Sequence, residues 1–145
     1  MAAVAARARP RPRPAISERP RLRVHPFTTE GAGGKWTVRW RIANEGDLPL
    51  RLLSAQQPHS QFRTAETALD VAIAPRAAAD VTLPVSFNES PGAVVENPFL
   101  ILRLREGGEW RALARVRITA GTRGEPLAGE SVVVTTQKVG IGRAG

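Results

Sequence analysis

Between Lys35 and Ile42 large apolar and polar residues alternate without a break: Trp36, Val38, Trp40 and Ile42 against Lys35, Thr37, Arg39 and Arg41. Alternation with a period of two places bulk on one side of a pleated strand and charge on the other. Asn44-Glu45-Gly46-Asp47 follows with turn chemistry, since Asn and Gly tolerate left-handed backbone and Asp bonds its own downstream amide. Leu48, Leu50 and Leu52 resume the pattern at once, so this stretch predicts two antiparallel strands with one wet face. Leu22 and Val24, joined by Phe27, predict an earlier strand. Two later ones are predicted by Leu69, Val71 and Ile73, and by Val81, Leu83, Val85 and Phe87. Pro84 falls on the outward set of the last of these, which reads as an edge strand or a bulge. The stretch 54–66 has no clear period and reads as the longest loop inside the core. No helical period persists for three turns, and no alternation of strands with helices suggests a parallel sheet. Trp36, Trp40 and Trp110 are expected to share one core with Val38, Leu83, Leu102 and Leu104.

The stretch from Phe99 to Ile118 reads as a hairpin with a definite register. Leu100, Leu102 and Leu104 form one face of its first strand; Trp110, Ala112, Ala114, Val116 and Ile118 form one face of its second. Directly paired residues share a face, so Leu104 must oppose Trp110, Leu102 oppose Ala112 and Leu100 oppose Ala114. Arg105 then opposes Glu109 around a three-residue loop, Glu106-Gly107-Gly108, with Gly108 expected in the left-handed region. The other face pairs Arg103 with Arg111, Ile101 with Leu113 and Phe99 with Arg115. Like charges directly opposed are unfavourable, and an apolar patch of this kind is unusual on bare surface. Two readings stand open. Residues 131–139 fold back over this face or nearby carboxylates neutralise it, or the face is a protein interface: Phe99, Ile101 and Leu113 rimmed by Arg103, Arg111, Arg115 and Arg117.

Charge sharpens the domain plan. The chain has 145 residues and a net charge of +8. Residues 1–24 hold seven Arg and one Glu, and the remaining net charge of +2 is spread over the other residues. Residues 1–20 read as a flexible basic arm, because Arg9-Pro10-Arg11-Pro12-Arg13-Pro14 has no apolar side chain to bury and its prolines forbid a helix. Residues 21–119 read as the sandwich core and 120–145 as a C-terminal extension with a strand at 131–139. Arg7, Arg9, Arg11, Arg13 and Arg19 are the candidates for polyanion contact, weak and blind to sequence, since the arm carries no aromatic residue for stacking on bases. No run of 18 apolar residues is present, so no membrane insertion is expected, and no secretory signal is recognisable. The absence of cysteine fits a reducing compartment, and a cytoplasmic location is the expectation.

Catalytic chemistry has little to stand on. There is no Cys and no Tyr, and His25 and His59 are the sole histidines, too few soft ligands for a structural zinc site. His59 and Ser60 are sequence neighbours, whose side chains point apart on a strand and form no nucleophile–base pair without a special turn. Gly31-Ala32-Gly33-Gly34 leads into a strand rather than a helix, so it reads as a hairpin turn and not a phosphate loop. No enzyme, cofactor or metal is expected.

The turn Asn44-Glu45-Gly46-Asp47-Leu48-Pro49-Leu50 between two alternating strands resembles that of Hydin-type and cell-adhesion-related immunoglobulin-like domains. The later stretch Ile73-Ala74-Pro75-Arg76-Ala77-Ala78-Ala79-Asp80-Val81-Thr82-Leu83-Pro84-Val85 resembles their second signature, a turn followed by an outer strand. The resemblance spans roughly residues 21–119 and implies a seven-stranded immunoglobulin-like sandwich. The chain departs from that pattern by its single copy, its basic arm and its extra C-terminal strand, so the expected fold is an all-β, immunoglobulin-like antiparallel sandwich of seven to eight strands behind a disordered arm. The resemblance implies a scaffolding or protein-interaction module and carries no catalytic residue. The leading functional expectation is therefore a module that docks a protein partner or a second copy through the outward face of the 99–118 hairpin. The alternative is a phosphate- or nucleic-acid-associated protein, shell subunits included, that works through its arm.

Overall fold

In the computed structural model, residues 19–139 are described. They form eleven strands: β1 Leu22–Ala32, β2 Lys35–Asn44, β3 Leu50–His59, β4 Phe62–Ile73, β5 Ala78–Ser86, β6 Val94–Val95, β7 Phe99–Arg105, β8 Glu109–Arg115, β9 Ile118–Ala120, β10 Pro126–Ala128 and β11 Val133–Lys138. Every pairing is antiparallel. Eight strands make one sheet in the order β1-β2-β5-β4-β3-β7-β8-β11, and three make a small sheet, β10-β9-β6. The large sheet is curled into a half-barrel, which brings its end strands β1 and β11 close together. Its continuity is weakest between β4 and β5, which share the single pair Arg63↔Ser86.

Strict alternation makes β2 the axis of the core: every even-numbered residue from Trp36 to Asn44 is buried. Trp36, Trp40, Trp110, Val38, Leu83, Leu102 and Leu104 all lie in one buried cluster, as the pattern requires. Phe27 reaches the same interior through a bulge between His25 and Thr28, which offsets it from Val24 by three positions instead of two. There it meets Trp40 edge-on at 4.9 Å between centroids and stacks on Phe62 at 5.3 Å. The β1–β2 turn is Gly33-Gly34, both at positive φ (64° and 84°), the conformation a two-residue hairpin requires.

The stretch 54–66 is not a loop. It is the body of the β3–β4 hairpin, closed by Ser60-Gln61, with His59 Nδ1 accepting the Gln61 N–H at 3.0 Å. Its alternation is lost because β3 slips register twice, between Leu52 and Ser54 and between Ala55 and Gln57, and each slip changes which side chains face inward. Gln57 is thereby fully buried, and its Oε1 accepts from Trp40 Nε1 at 2.8 Å. Gln57 Nε2 donates to Thr64 Oγ1 at 2.6 Å, and Thr64 Oγ1 donates to the Pro84 carbonyl at 2.6 Å. This relay runs from β2 through β3 and β4 to β5, and it links the two strands that scarcely pair. Pro84 sits where β5 has a ladder only with β2, so its missing N–H costs no strand bond to β4.

The turn after β2 is held by Asn44, 1 % exposed. Its Nδ2 donates to the carbonyls of Leu48 (2.8 Å) and Ile73 (3.1 Å), and its Oδ1 accepts the Gly46 N–H at 3.0 Å. Its backbone pairs with the β4–β5 turn, donating to Ala77 and accepting from Arg76. Those bonds hold Arg76 at φ 66°, and Arg76 in turn pairs with Asp47. The hydrogen bond from Arg76 holds the exposed Asp47 carboxyl below the usual aspartate range.

The C-terminal third corrects one expectation and decides between two open ones. Ile118 does not continue β8; the chain leaves the large sheet after Arg115 and Ile118 opens β9 in the small one. The boundary drawn after residue 119 therefore falls inside a strand, and both β10 and β11 pair with strands of the core. The stretch 131–139 does not fold over the hairpin: β11 extends the sheet sideways from β8, with Val133 opposite Arg115, Thr135 opposite Leu113 and Gln137 opposite Arg111.

Candidate functional site

The β7–β8 hairpin has the register that alternation requires: Leu104↔Trp110, Leu102↔Ala112, Leu100↔Ala114 and Arg105↔Glu109. Its loop departs in one detail, because Gly107 is the residue in the left-handed region (φ 65°) while Gly108 adopts φ 153°. Even-numbered residues of both strands are buried, which turns Phe99, Ile101 and Arg103 of β7 outward with Arg111, Leu113 and Arg115 of β8.

Pairing across three strands arranges this outer face in rows. Phe99, Arg115 and Val133 form the first; Ile101, Leu113 and Thr135 the second, with Gln56 of β3 beyond Ile101; Arg103, Arg111 and Gln137 the third, with Ser54 beyond Arg103. Rows lie about 7 Å apart along a strand, and neighbours within a row about 5 Å apart. Phe99, Ile101 and Leu113 are half-buried by their neighbours, and Val133 is 55 % exposed. Asn97, Phe99, Leu113 and Arg115 line a shallow open hollow of about 420 Å³.

The opposed arginines Arg103 and Arg111 are made compatible by carboxylates on one of them alone. Arg103 Nε and Nη2 donate to Glu109 Oε2 at 2.9 and 2.7 Å, and Arg103 Nη1 lies 3.7 Å from Glu66 Oε2. The Glu109 bond pushes the Arg103 guanidinium further toward its charged form. Ser54 Oγ donates to the same Glu66 oxygen at 2.8 Å. Glu109 thus serves the diagonal Arg103 rather than its direct partner Arg105, a choice no strand pattern reveals. Among the described residues neither Arg111 nor Arg115 has an ion-pair partner.

Arg117 does not join this face. It follows β8 in the link to β9 and pairs with Glu96, its Nη2 3.0 Å from Oε2. Of the arm arginines, Arg7, Arg9, Arg11 and Arg13 lie outside the described residues. Arg19 donates to the Thr136 carbonyl of β11, on the edge that β8 does not use.

Val133 was missed because it stands in the unbroken run Val132-Val133-Val134, which shows no faces of its own. A second apolar pair was missed on the small sheet, where Val94 (51 % exposed) and Leu127 (47 %) flank Thr119. Strands of two and three residues are too short to show a period. Among the described residues no group of three or more His, Asp or Glu is placed to hold a metal, and no helix is long and apolar enough to cross a membrane. No protein-family model matches the chain, and no curated protein does.

Proposed function

We propose that this protein is a non-enzymatic interaction module of immunoglobulin-like sandwich type that docks a protein through the outer face of β7, β8 and β11. The fold reading is supported by the near-split of the large sheet. With one residue pair between β4 and β5, it behaves as β1-β2-β5 against β4-β3-β7-β8-β11, bridged across the interior by the Trp40–Gln57–Thr64 relay. It is supported too by the meeting of the two signature turns at Asn44 and Arg76.

The observation that carries the docking reading is the position of β11. It widens the β7–β8 face instead of covering it and adds Val133 diagonal to Leu113 and across Arg115 from Phe99. Four apolar side chains left in adjoining rows are what a contact surface needs and a bare one avoids. A chain tagged and expressed in its own cells should migrate in a complex larger than the monomer, and Ile101→Asp should release it. The variant should leave the thermal midpoint nearly unchanged, since Ile101 lies outside the buried core. A wild-type chain that migrates as a monomer, or a variant that stays in the complex, overturns the reading.

A further inference from the structure

Resting on the docking reading above, we infer that the occupant of this face is an acidic protein segment, with an apolar side chain set between two carboxylates, and not a second copy of this chain. Arg111, Leu113 and Arg115 stand in line on β8, alternate positions of one strand all facing out. The two guanidinium-bearing positions are about 13 Å apart, with the apolar residue midway. Neither arginine is neutralised among the described residues, whereas Arg103, one position across from Arg111, has two carboxylates. The face therefore meets its own internal repulsion at Arg103 and, among the described residues, leaves two forked donors without a carboxylate.

Arginine matches carboxylate in planar two-bond geometry and is weakly hydrated for a cation, so it is suited to a contact that excludes water. The hollow lined by Asn97, Phe99, Leu113 and Arg115 gives an apolar side chain a place beside one of those donors. Arg115 itself lies between Phe99 and Val133, so a carboxylate bound there is partly shielded from solvent by apolar neighbours. A second copy fits poorly. Two such faces brought together would set four unneutralised arginines against one another, in a chain of net charge +8. Nucleic acid fits poorly as well, because a phosphate backbone has no use for a central apolar row, and Phe99 is half-buried rather than presented for stacking.

The test uses the full chain with its Ile and Leu methyl groups labelled for NMR. The first probe is a short synthetic peptide repeating Glu-Ser-Leu-Ser-Glu. Its controls replace Leu by Ser, Glu by Gln, or Glu by Lys, and oligothymidylate is the nucleic-acid control. The acidic apolar peptide should shift the Ile101 and Leu113 methyls and bind about tenfold more tightly than the Ser or Gln control. The Lys control should not bind. Arg111→Glu with Arg115→Glu should weaken the acidic peptide by more than tenfold without lowering the thermal midpoint, and Arg39→Glu on β2 should not. Equal binding of the Gln control overturns the acidic inference and leaves the docking surface standing. Equal binding of the Ser control, or oligothymidylate shifting the same methyls, reduces the site to a general anion patch and overturns it. If no peptide moves these methyls and Ile101→Asp leaves the cellular complex intact, inference and docking reading fall together.

Discussion

Gln57 shows how one residue can hold a core together and still escape a reading of hydrophobic pattern. It is fully buried, it accepts from Trp40 and donates to Thr64, and it occupies a position that two register slips have turned inward. Gln57→Leu removes the partner of a buried indole N–H, which should cost about 1–3 kcal/mol. Urea unfolding of the variant checks this, and an unchanged midpoint would mean the relay adds nothing to stability. Asp47 makes a prediction about pH. Its folded carboxyl is held low by the hydrogen bond from Arg76, so the contact is complete above the unfolded aspartate value and is lost as pH falls through the lower folded value. Carboxyl-carbon NMR should place the Asp47 midpoint below that of free aspartate, and Arg76→Ala should bring it back up.

Among the elements, β2 was legible as a strand from its alternation, but the turn after it leads to β3, which pairs with β4 and β7 and not with β2; the β7–β8 hairpin was legible in register as far as Arg115. For the hairpin, shared faces allow a single register, and that register leaves a three-residue loop with glycine where the backbone turns left-handed. The loop divides its two glycines by conformation. Gly107 has an ordinary left-handed φ that Asn tolerates, whereas Gly108 at φ 153° lies where L-residues are strained even though a Cβ would have space beside Lys138. Gly107→Asn should therefore be nearly neutral and Gly108→Ala should cost about 1–3 kcal/mol, read as a difference in thermal midpoint. The β3–β4 hairpin was illegible for the opposite reason: its bulges break the period that identifies a strand. Pairing partners were hidden as well. Val132-Val133-Val134 marks β11 as a strand, yet nothing in that run says whether it lies over β8 or beside it.

At the scale of the whole molecule, the sheet order decides which surfaces stay open. With β11 added sideways, the candidate face spans three strands and gains an exposed valine, and the carboxylates of Glu66 and Glu109 settle on Arg103. The candidate rows of that face were legible from the hairpin register, but which of its arginines are neutralised among the described residues was not. That division depends first on Glu109 reaching diagonally to Arg103, and then on Glu66, which comes from the β4 strand hidden inside the apparent loop. Arg117 was assigned to the face only because the end of β8 at Arg115 carries no break in the alternation. The most direct test of the docking claim is photocrosslinking from a reactive residue placed at Leu113 in the full chain inside its own cells, with the same residue placed at Arg39 as control. One discrete protein adduct is expected from position 113 and none of that kind from position 39. The absence of a discrete adduct at 113, or the same adduct from both positions, would contradict the docking claim.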